Sequence, residues 1–63
     1  MTAAPSDDSF RKFKHDLANP LAALLAETQL VLLREDQLDP ETVASLREIE
    51  SLARRMRKLI QES

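Results

Sequence analysis

The sequence contains no glycine and no cysteine, and its aromatic residues are limited to Phe10 and Phe13. Without glycine there can be no Gly-rich phosphate loop, which excludes a P-loop and a dinucleotide-binding fingerprint. Without cysteine there can be no disulfide and no thiolate metal site, and one histidine cannot form a His-based metal cluster within a chain. We therefore expect this chain to hold no metal and to bind no cofactor of its own.

Nucleic-acid and membrane binding are also disfavoured. Two aromatic residues make no stacking platform for bases, and a net charge of −2 does not suit a polyanion partner. The longest uncharged stretch, residues 17–26, is too short to cross a bilayer. The amino end carries Asp7 and Asp8 and no apolar core, so it is not a signal peptide. These features predict a cytoplasmic segment with no nucleic-acid partner and no membrane contact.

The first half of the chain has the periodicity of a long helix. We expect residues 1–6 to be a flexible lead-in, Ser6 or Asp7 to cap the helix, and a dimerising helical domain to fill residues 7–63. A helix over about 7–36 follows from apolar or buried positions spaced by threes and fours. That stripe comprises Phe10, Phe13, Leu17, Leu21, Leu24, Thr28, Val31 and Glu35, widened by Leu25, Leu30, Leu32 and Leu33.

A second helix is predicted over about 40–62, after a turn at about 36–39. Asp39-Pro40-Glu41 is typical of a helix start, with Asp as N-cap and Pro at the first helical position. Its stripe comprises Val43, Leu46, Ile49, Ala53, Met56 and Ile60, with Leu52 and Leu59 beside it. Two helices joined by so short a turn lie antiparallel. Because a 63-residue hairpin cannot bury both wide faces, the fold class expected is all-α, a hairpin forming a homodimeric four-helix bundle.

The sole histidine lies in an unusual local sequence. Helical counting places His15 opposite the apolar stripe, on an outward face where it is free to act as a nucleophile. Asp16 follows it directly, and Asn19 lies one turn further along the same face. Pro20 lacks an N–H, so the Asp16 carbonyl loses its helical partner and a kink is expected there.

The segment His15-Asp16-Leu17-Ala18-Asn19-Pro20-Leu21 resembles the H-box of sensor histidine kinases. The H-box has the form His, Glu or Asp, Leu, any residue, Asn or Thr, Pro, Leu. The resemblance covers roughly residues 8–62, and it is to the dimerisation and histidine phosphotransfer (DHp, or HisKA) domain of two-component systems. It implies that a separate catalytic domain supplies ATP and Mg²⁺ and that a response-regulator receiver domain is a partner, besides the second copy of the chain.

The resemblance implies a role for each box residue. His15 takes the phosphoryl group from ATP and passes it to a receiver aspartate, and Asp16 is the general base. Asn19 positions a water for dephosphorylation of the regulator, and Pro20 is a hinge. The enzyme implied is a histidine protein kinase, of which this chain is the phosphoacceptor part without the ATP-binding domain.

Two further features agree with this interpretation. Small residues near His15 form a flat surface on which a partner could dock: Ala18, Ala22 and Ala26. In an antiparallel hairpin His15 lies roughly level with residues 57–60, which gathers cations that attract phosphate or an acidic receiver. The cations at that end are Arg11, Lys12, Lys14, Arg54, Arg55, Arg57 and Lys58. Those expected to attract phosphate are Lys12, Lys14, Arg54, Arg57 and Lys58.

Two alternatives remain open at the level of sequence. The chain could be a phosphorelay histidine phosphotransferase without autokinase activity, or a dimerisation hairpin with no chemistry. Several residues also have plain structural explanations. Asp16 could pair with Lys12 on the helix surface, the alanines could serve helix propensity, and Arg54 to Lys58 suit a helix C-terminus.

Overall fold

Helix-forming residues dominate both halves of the chain, and the computed structural model, which describes residues 7–63, folds them into a helical hairpin. Helix α1 spans Asp7–Leu32, a 3₁₀ turn spans Glu35–Gln37, and helix α2 spans Pro40–Glu62. No strand occurs within residues 7–63, so the expected all-α hairpin is confirmed. The predicted lead-in, residues 1–6 with the cap candidate Ser6, lies outside the described residues.

The first helix ends at Leu32, four residues before the predicted end at about 36. Its hydrogen bonds tighten at that point. The Leu33 N–H donates to the carbonyls of Gln29 and Leu30 at 3.1 and 3.3 Å, and the Arg34 N–H donates only to the i−3 carbonyl of Val31, at 3.0 Å. This change from i−4 to i−3 bonding is the usual way in which a helix end satisfies its last carbonyls, and it leads into the 3₁₀ turn.

The second helix begins where the Asp-Pro-Glu sequence places its start. Asp39 has extended backbone angles, φ −73° and ψ 157°, and Pro40 occupies the first turn. The Asp39 carbonyl accepts the first helical bond, from the Val43 N–H at 3.1 Å. The Asp39 side chain makes no capping bond, so this start depends on the fixed φ of Pro40 and on the acidic first turn.

The core of the hairpin is small and lies at mid-length. Leu21 and Leu25 of α1 pack against Ala53 of α2, which is only 2% exposed, and Ile60 packs on this cluster. The small side chain of Ala53 lets the two helices approach closely at this point. Thr28 is also buried, and its hydroxyl donates to the Leu24 carbonyl at 2.8 Å, so its burial leaves no polar atom unpaired.

The apolar surface of α1 divides into two faces, which corrects the single buried stripe predicted from sequence. The face toward α2 carries the buried residues Leu21, Leu25, Thr28 and Leu32. All the remaining residues of the predicted stripe are exposed: Phe10, Phe13, Leu17, Leu24, Leu30, Val31, Leu33 and Glu35. On α2, Ile49 and Met56 are likewise exposed, whereas Val43, Leu46 and Ile60 are partly buried. One neighbouring helix covers only part of so broad a face, and periodicity alone does not show which part.

Most of the exposed apolar residues of the two helices lie on the same side of the hairpin; Leu30 of α1 is an exception. Counting about 100° per residue from the core contacts, the exposed stripes of both antiparallel helices turn to one side. We call this surface the open apolar side; it comprises Phe10, Phe13, Leu17, Leu24, Val31, Ile49, Leu52, Met56 and Leu59. Such a contiguous apolar surface is typical of an interaction site.

The opposite side of the hairpin is polar and ties the helices together. The Gln29 amide donates to the Glu50 carboxylate at 3.2 Å, and Arg54 donates to the same oxygen at 3.0 Å. The Gln29 hydrogen bond, followed by the charge and hydrogen bond of Arg54, holds the pKa of Glu50 below its ordinary value. Nearer the turn, Arg47 donates to Glu35 at 2.6 Å. Neither helix within residues 7–63 is long and apolar enough to cross a membrane.

Candidate functional site

His15 lies in the N-terminal half of α1 with its side chain exposed. Helical counting places it on the polar side of the hairpin, roughly opposite Leu17 and Leu24 of the open apolar side. The outward position predicted from sequence is thus where the structure places this side chain. A protein that covers the open apolar side would leave the imidazole accessible.

A shallow depression of about 190 Å³ adjoins His15. Arg11, Lys14 and Ala18 of α1 line it, together with Ile60 and Gln61 from the last turns of α2. This lining places His15 level with Ile60, the last residue of the predicted range 57–60, and with Gln61, one residue beyond it. The floor is formed by Ala18 and Ile60, whereas Arg11 and Lys14 bring positive charge beside the imidazole.

The Asp16 carboxylate lies beside His15 in sequence but pairs with another residue. The Lys12 ammonium contacts its Oδ2 at 3.3 Å, and both side chains are well exposed. Exposed pairs at i, i+4 are worth only about 0.3–0.5 kcal/mol, so Asp16 can leave Lys12 at little cost. The structure therefore has the surface ion pair between Lys12 and Asp16 that the sequence allowed. The Asp16 carboxylate remains on the residue next to His15.

Asn19 and Pro20 follow along the same helix. Asn19 is exposed one turn beyond His15, and α1 continues without interruption through Pro20 to Leu32. Proline cannot donate to the Asp16 carbonyl, so the helix lacks one internal hydrogen bond immediately after the histidine. The backbone of α1 therefore lacks one of its hydrogen bonds where the H-box residues lie.

The three alanines selected from sequence separate into two environments. Ala22 and Ala26 are exposed on the polar side and continue the surface on which His15 and Asn19 lie. Ala18 is half-buried and lines the depression between the helices. A flat strip beyond the histidine is thus formed by Ala22 and Ala26, while Ala18 belongs to the floor beneath it.

The five selected cations do not converge on His15. Only Lys14 lines the depression. Lys12 is bound to Asp16, and Arg54 is bound to Glu50, roughly two turns along α2 from Gln61. Arg57 and Lys58 are exposed on the turn of α2 before Gln61 and form no ion pair within residues 7–63.

Sequence reasoning missed Gln61 as a neighbour of His15. Arg11, four residues before the histidine on the same face of α1, was among the cations expected at that end of the hairpin. Gln61 could not have been found from spacing along one helix, because its position depends on the register between the two helices, to which the packing of Ala53 and Ile60 contributes.

Comparison with known families gives a match over almost the whole chain. Residues 8–63 match the His Kinase A (phospho-acceptor) domain, abbreviated HisKA. The chain belongs to the HisKA family. The resemblance carried by the H-box segment is therefore confirmed, and the match includes both helices of the hairpin. Neither the curated proteins nor the solved structures yield a match to this chain.

Membership assigns the HisKA domain a general role. Domains of this family supply the phosphoacceptor and dimerisation functions of histidine kinases, which are phosphotransferases of two-component systems. This HisKA domain contains one histidine, exposed within the H-box, and an apolar surface left uncovered by its own hairpin. Both features that the family role requires are therefore present in the chain.

Proposed function

We propose that this HisKA domain takes a phosphoryl group from ATP onto His15 and passes it to an aspartate of a response-regulator receiver domain. ATP and Mg²⁺ are bound by a separate catalytic domain. The observation that carries the proposal is the division of the hairpin into two sides: the sole histidine is exposed on one, and the uncovered apolar surface lies on the other.

The open apolar side is proposed to be the dimer interface. Phe13 and Leu59 are 57% and 61% exposed, which is unfavourable for a lone hairpin in water. Packing two hairpins through this side buries both stripes in a homodimeric four-helix bundle, the simplest closed arrangement. His15 then stays on the flank of the bundle, one per chain, where a catalytic domain and a receiver can each reach it.

Phosphorylation requires a lone pair on a neutral imidazole. One ring nitrogen of His15 attacks the γ-phosphorus of ATP, the bond from that phosphorus to the bridging oxygen breaks, and ADP leaves. The imidazole then carries a positive charge until the other ring nitrogen loses its proton, which Asp16 accepts as general base. Because Asp16 is held only by an exposed Lys12, the carboxylate can turn toward the ring without breaking a buried contact.

The remaining box residues are proposed to act in the later steps. In transfer, the N–P bond breaks as a receiver carboxylate oxygen takes the phosphoryl group. Asn19 lies one turn from His15 and is placed to orient a water that hydrolyses the resulting aspartyl phosphate. The flat strip of Ala22 and Ala26 lets a receiver helix approach. Pro20 lets the part of the bundle that contains the N-terminal end of α1 bend relative to the part that contains the turn.

The proposed function is tested by following one phosphoryl group through both steps. The chain is mixed with, or joined to, a histidine-kinase ATP-binding domain and given γ-labelled ATP, after which a receiver domain is added. We expect label on the chain first and on the receiver next. A folded chain that never acquires label from ATP, but accepts it from a phosphorylated receiver, would replace this proposal with a phosphorelay phosphotransferase.

A further inference from the structure

The depression beside His15 contains two cations that have no assigned part in holding the phosphoryl group once it is on the imidazole. Arg11 and Lys14 both line it with the histidine. A phosphoryl group on an imidazole carries about two negative charges at neutral pH, as other phosphate monoesters and amidates do. We propose that Arg11 and Lys14 bind the phosphoryl oxygens of phosphorylated His15, with the Arg11 guanidinium as the main ligand. This inference rests on the proposed function, since it needs His15 to be phosphorylated.

Arg11 is available for this role because its present partner is weak. Its nearest carboxylate oxygen, on Asp8, lies 3.7 Å away, and the two side chains are 70% and 89% exposed. A pair so long and so exposed contributes almost nothing, and a doubly charged phosphoryl group competes with it readily. The planar guanidinium can also donate two parallel hydrogen bonds to one phosphoryl group, which an ammonium cannot.

Lys14 is already held at the edge of the depression. Its ammonium donates to the main-chain oxygen of Ser63 at 2.7 Å and lies 5.2 Å from the centre of the Phe10 ring. An ammonium fixed by two such contacts offers charge at the rim of the site with little loss of side-chain freedom.

The other cations nearby do not line the depression. Lys12 is paired with Asp16, on a different side of α1 from the depression, and Arg54 is paired with Glu50 further along α2. Gln61 supplies an amide on the opposite wall, which can donate a further hydrogen bond. The depression therefore offers a guanidinium, an ammonium and an amide around one ring, over a floor of Ala18 and Ile60.

Bound cations should make the phosphohistidine longer-lived. Hydrolysis passes through a loose transition state in which electron density from the phosphoryl oxygens expels the imidazole. A guanidinium on those oxygens withdraws that density, so it stabilises the phosphorylated state more than the transition state. The same contact favours the fully ionised phosphoryl group and lowers the pKa of its last ionisation.

The test uses the whole chain and a chemical phosphodonor, so no ATP-binding domain is needed. Phosphoramidate phosphorylates His15 when a ring nitrogen attacks phosphorus and ammonia leaves. The variants are R11Q, R11K and R55Q; Arg55 is exposed on α2 outside the depression, so R55Q matches the charge change of R11Q. Glutamine and arginine have similar helix propensities, and circular dichroism checks that each variant is folded.

Two quantities are measured by ³¹P NMR: the first-order rate at which phosphohistidine is lost, and the pKa of its phosphoryl group. We expect R11Q to lose the group roughly three- to tenfold faster than the wild type, the range for a charged hydrogen bond weakened by exposure. Its phosphoryl pKa should be higher. R11K should lie between the two, and R55Q should match the wild type.

The outcomes separate the two proposals. If the wild type is phosphorylated and R11Q matches R55Q in both rate and pKa, the Arg11 ligand is wrong while the phosphoacceptor function stands. If R11Q is faster but its phosphoryl pKa is unchanged, Arg11 does not touch the phosphoryl group and the inference is again overturned. If the folded wild type accepts no phosphoryl group at all, both proposals fail together.

Discussion

The Gln29 amide on α1 donates a hydrogen bond of 3.2 Å to the Glu50 carboxylate on α2. Arg54, one turn further along α2, donates to the same oxygen at 3.0 Å. This contact connects the two helices on the side of the hairpin that displays His15, and it lies nearer the turn than the H-box residues do. It therefore helps to fix the register that places Gln61 and Ile60 beside the histidine.

The Glu50 contact predicts an acid-sensitive part of the stability. The pKa of Glu50 is lowered in the fold, first by the Gln29 hydrogen bond and then by Arg54, so the unfolded state takes up this proton at a higher pH than the folded state does. The stabilisation is fully present above the unfolded pKa of Glu50 and is lost as the pH falls through the folded pKa. We expect Glu50→Gln to unfold at a lower temperature than the wild type at neutral pH.

This difference in Tm should shrink as the pH falls into the acidic range, because a protonated Glu50 and a glutamine are alike in charge. Thermal unfolding of both proteins by circular dichroism, at several pH values and at one protein concentration, makes the comparison. Glu48→Gln is the matched control, since Glu48 is exposed on α2 and forms no ion pair within residues 7–63. A Tm difference that does not vary with pH would contradict this account.

The small core predicts a sharp contrast between Leu25 of α1 and Leu33, the first residue after α1. Leu25 is 5% exposed and packs with Ala53, whereas Leu33 is 79% exposed. Leu25→Ala should lower the free energy of unfolding by about 2–5 kcal/mol, the usual cost of truncating a buried leucine. Leu33→Ala should change it by less than about 0.5 kcal/mol. Urea unfolding of the two variants, at matched concentration, measures both values, and equal losses would mean that the core is misplaced.

The open apolar side predicts which substitutions separate the dimer. A double change of Leu24→Glu and Leu59→Glu places charges on both helices of that side and should yield a monomer in sedimentation equilibrium. Leu33→Glu adds the same kind of charge directly after the end of α1, outside the open apolar side, and should leave the dimer intact. A wild-type chain that is monomeric at high concentration, with the helices formed, would refute the proposed interface.

The pairing of Asp16 with Lys12 predicts that substitutions at the two residues differ greatly in their effect on the rate of phosphorylation. Asp16→Asn removes the proposed base and should slow phosphorylation of His15 by ATP roughly 10²- to 10⁴-fold, the range for general base catalysis. Lys12→Gln only releases the carboxylate and should leave the rate within a fewfold of the wild type. Single-turnover labelling with an ATP-binding domain measures both rates. If Lys12→Gln is as slow as Asp16→Asn, the ion pair itself is required, and Asp16 is not a free base.

Much of this fold could be predicted from the sequence because each helix carries its own local signals. The spacing of Leu21, Leu25 and Thr28 indicates a helix, and Asp39-Pro40 indicates the start of the next one. The end of α1 at Leu32 was predicted too late, since the change to i−3 bonding has no marker such as glycine in this sequence.

The division of the apolar surface could not be predicted in the same way. Periodicity shows that Leu24 and Leu25 both belong to a wide apolar face, but only the docked position of Ala53 decides which of them α2 covers. The site has the same limit. His15 and its same-helix neighbours follow from spacing, whereas Gln61 enters the site through the register between the helices.

The most direct test of the central claim is to find the phosphoryl group on His15 itself. The wild-type chain and His15→Gln are each incubated with an ATP-binding domain and γ-labelled ATP, and the label is then tested in acid and in alkali. We predict label on the wild type that is lost in acid and survives in alkali, and none on His15→Gln. Because the chain has one histidine, loss of this label in His15→Gln assigns it to that residue. Label that persists on His15→Gln, or a folded dimeric wild type that takes up none, would contradict the account.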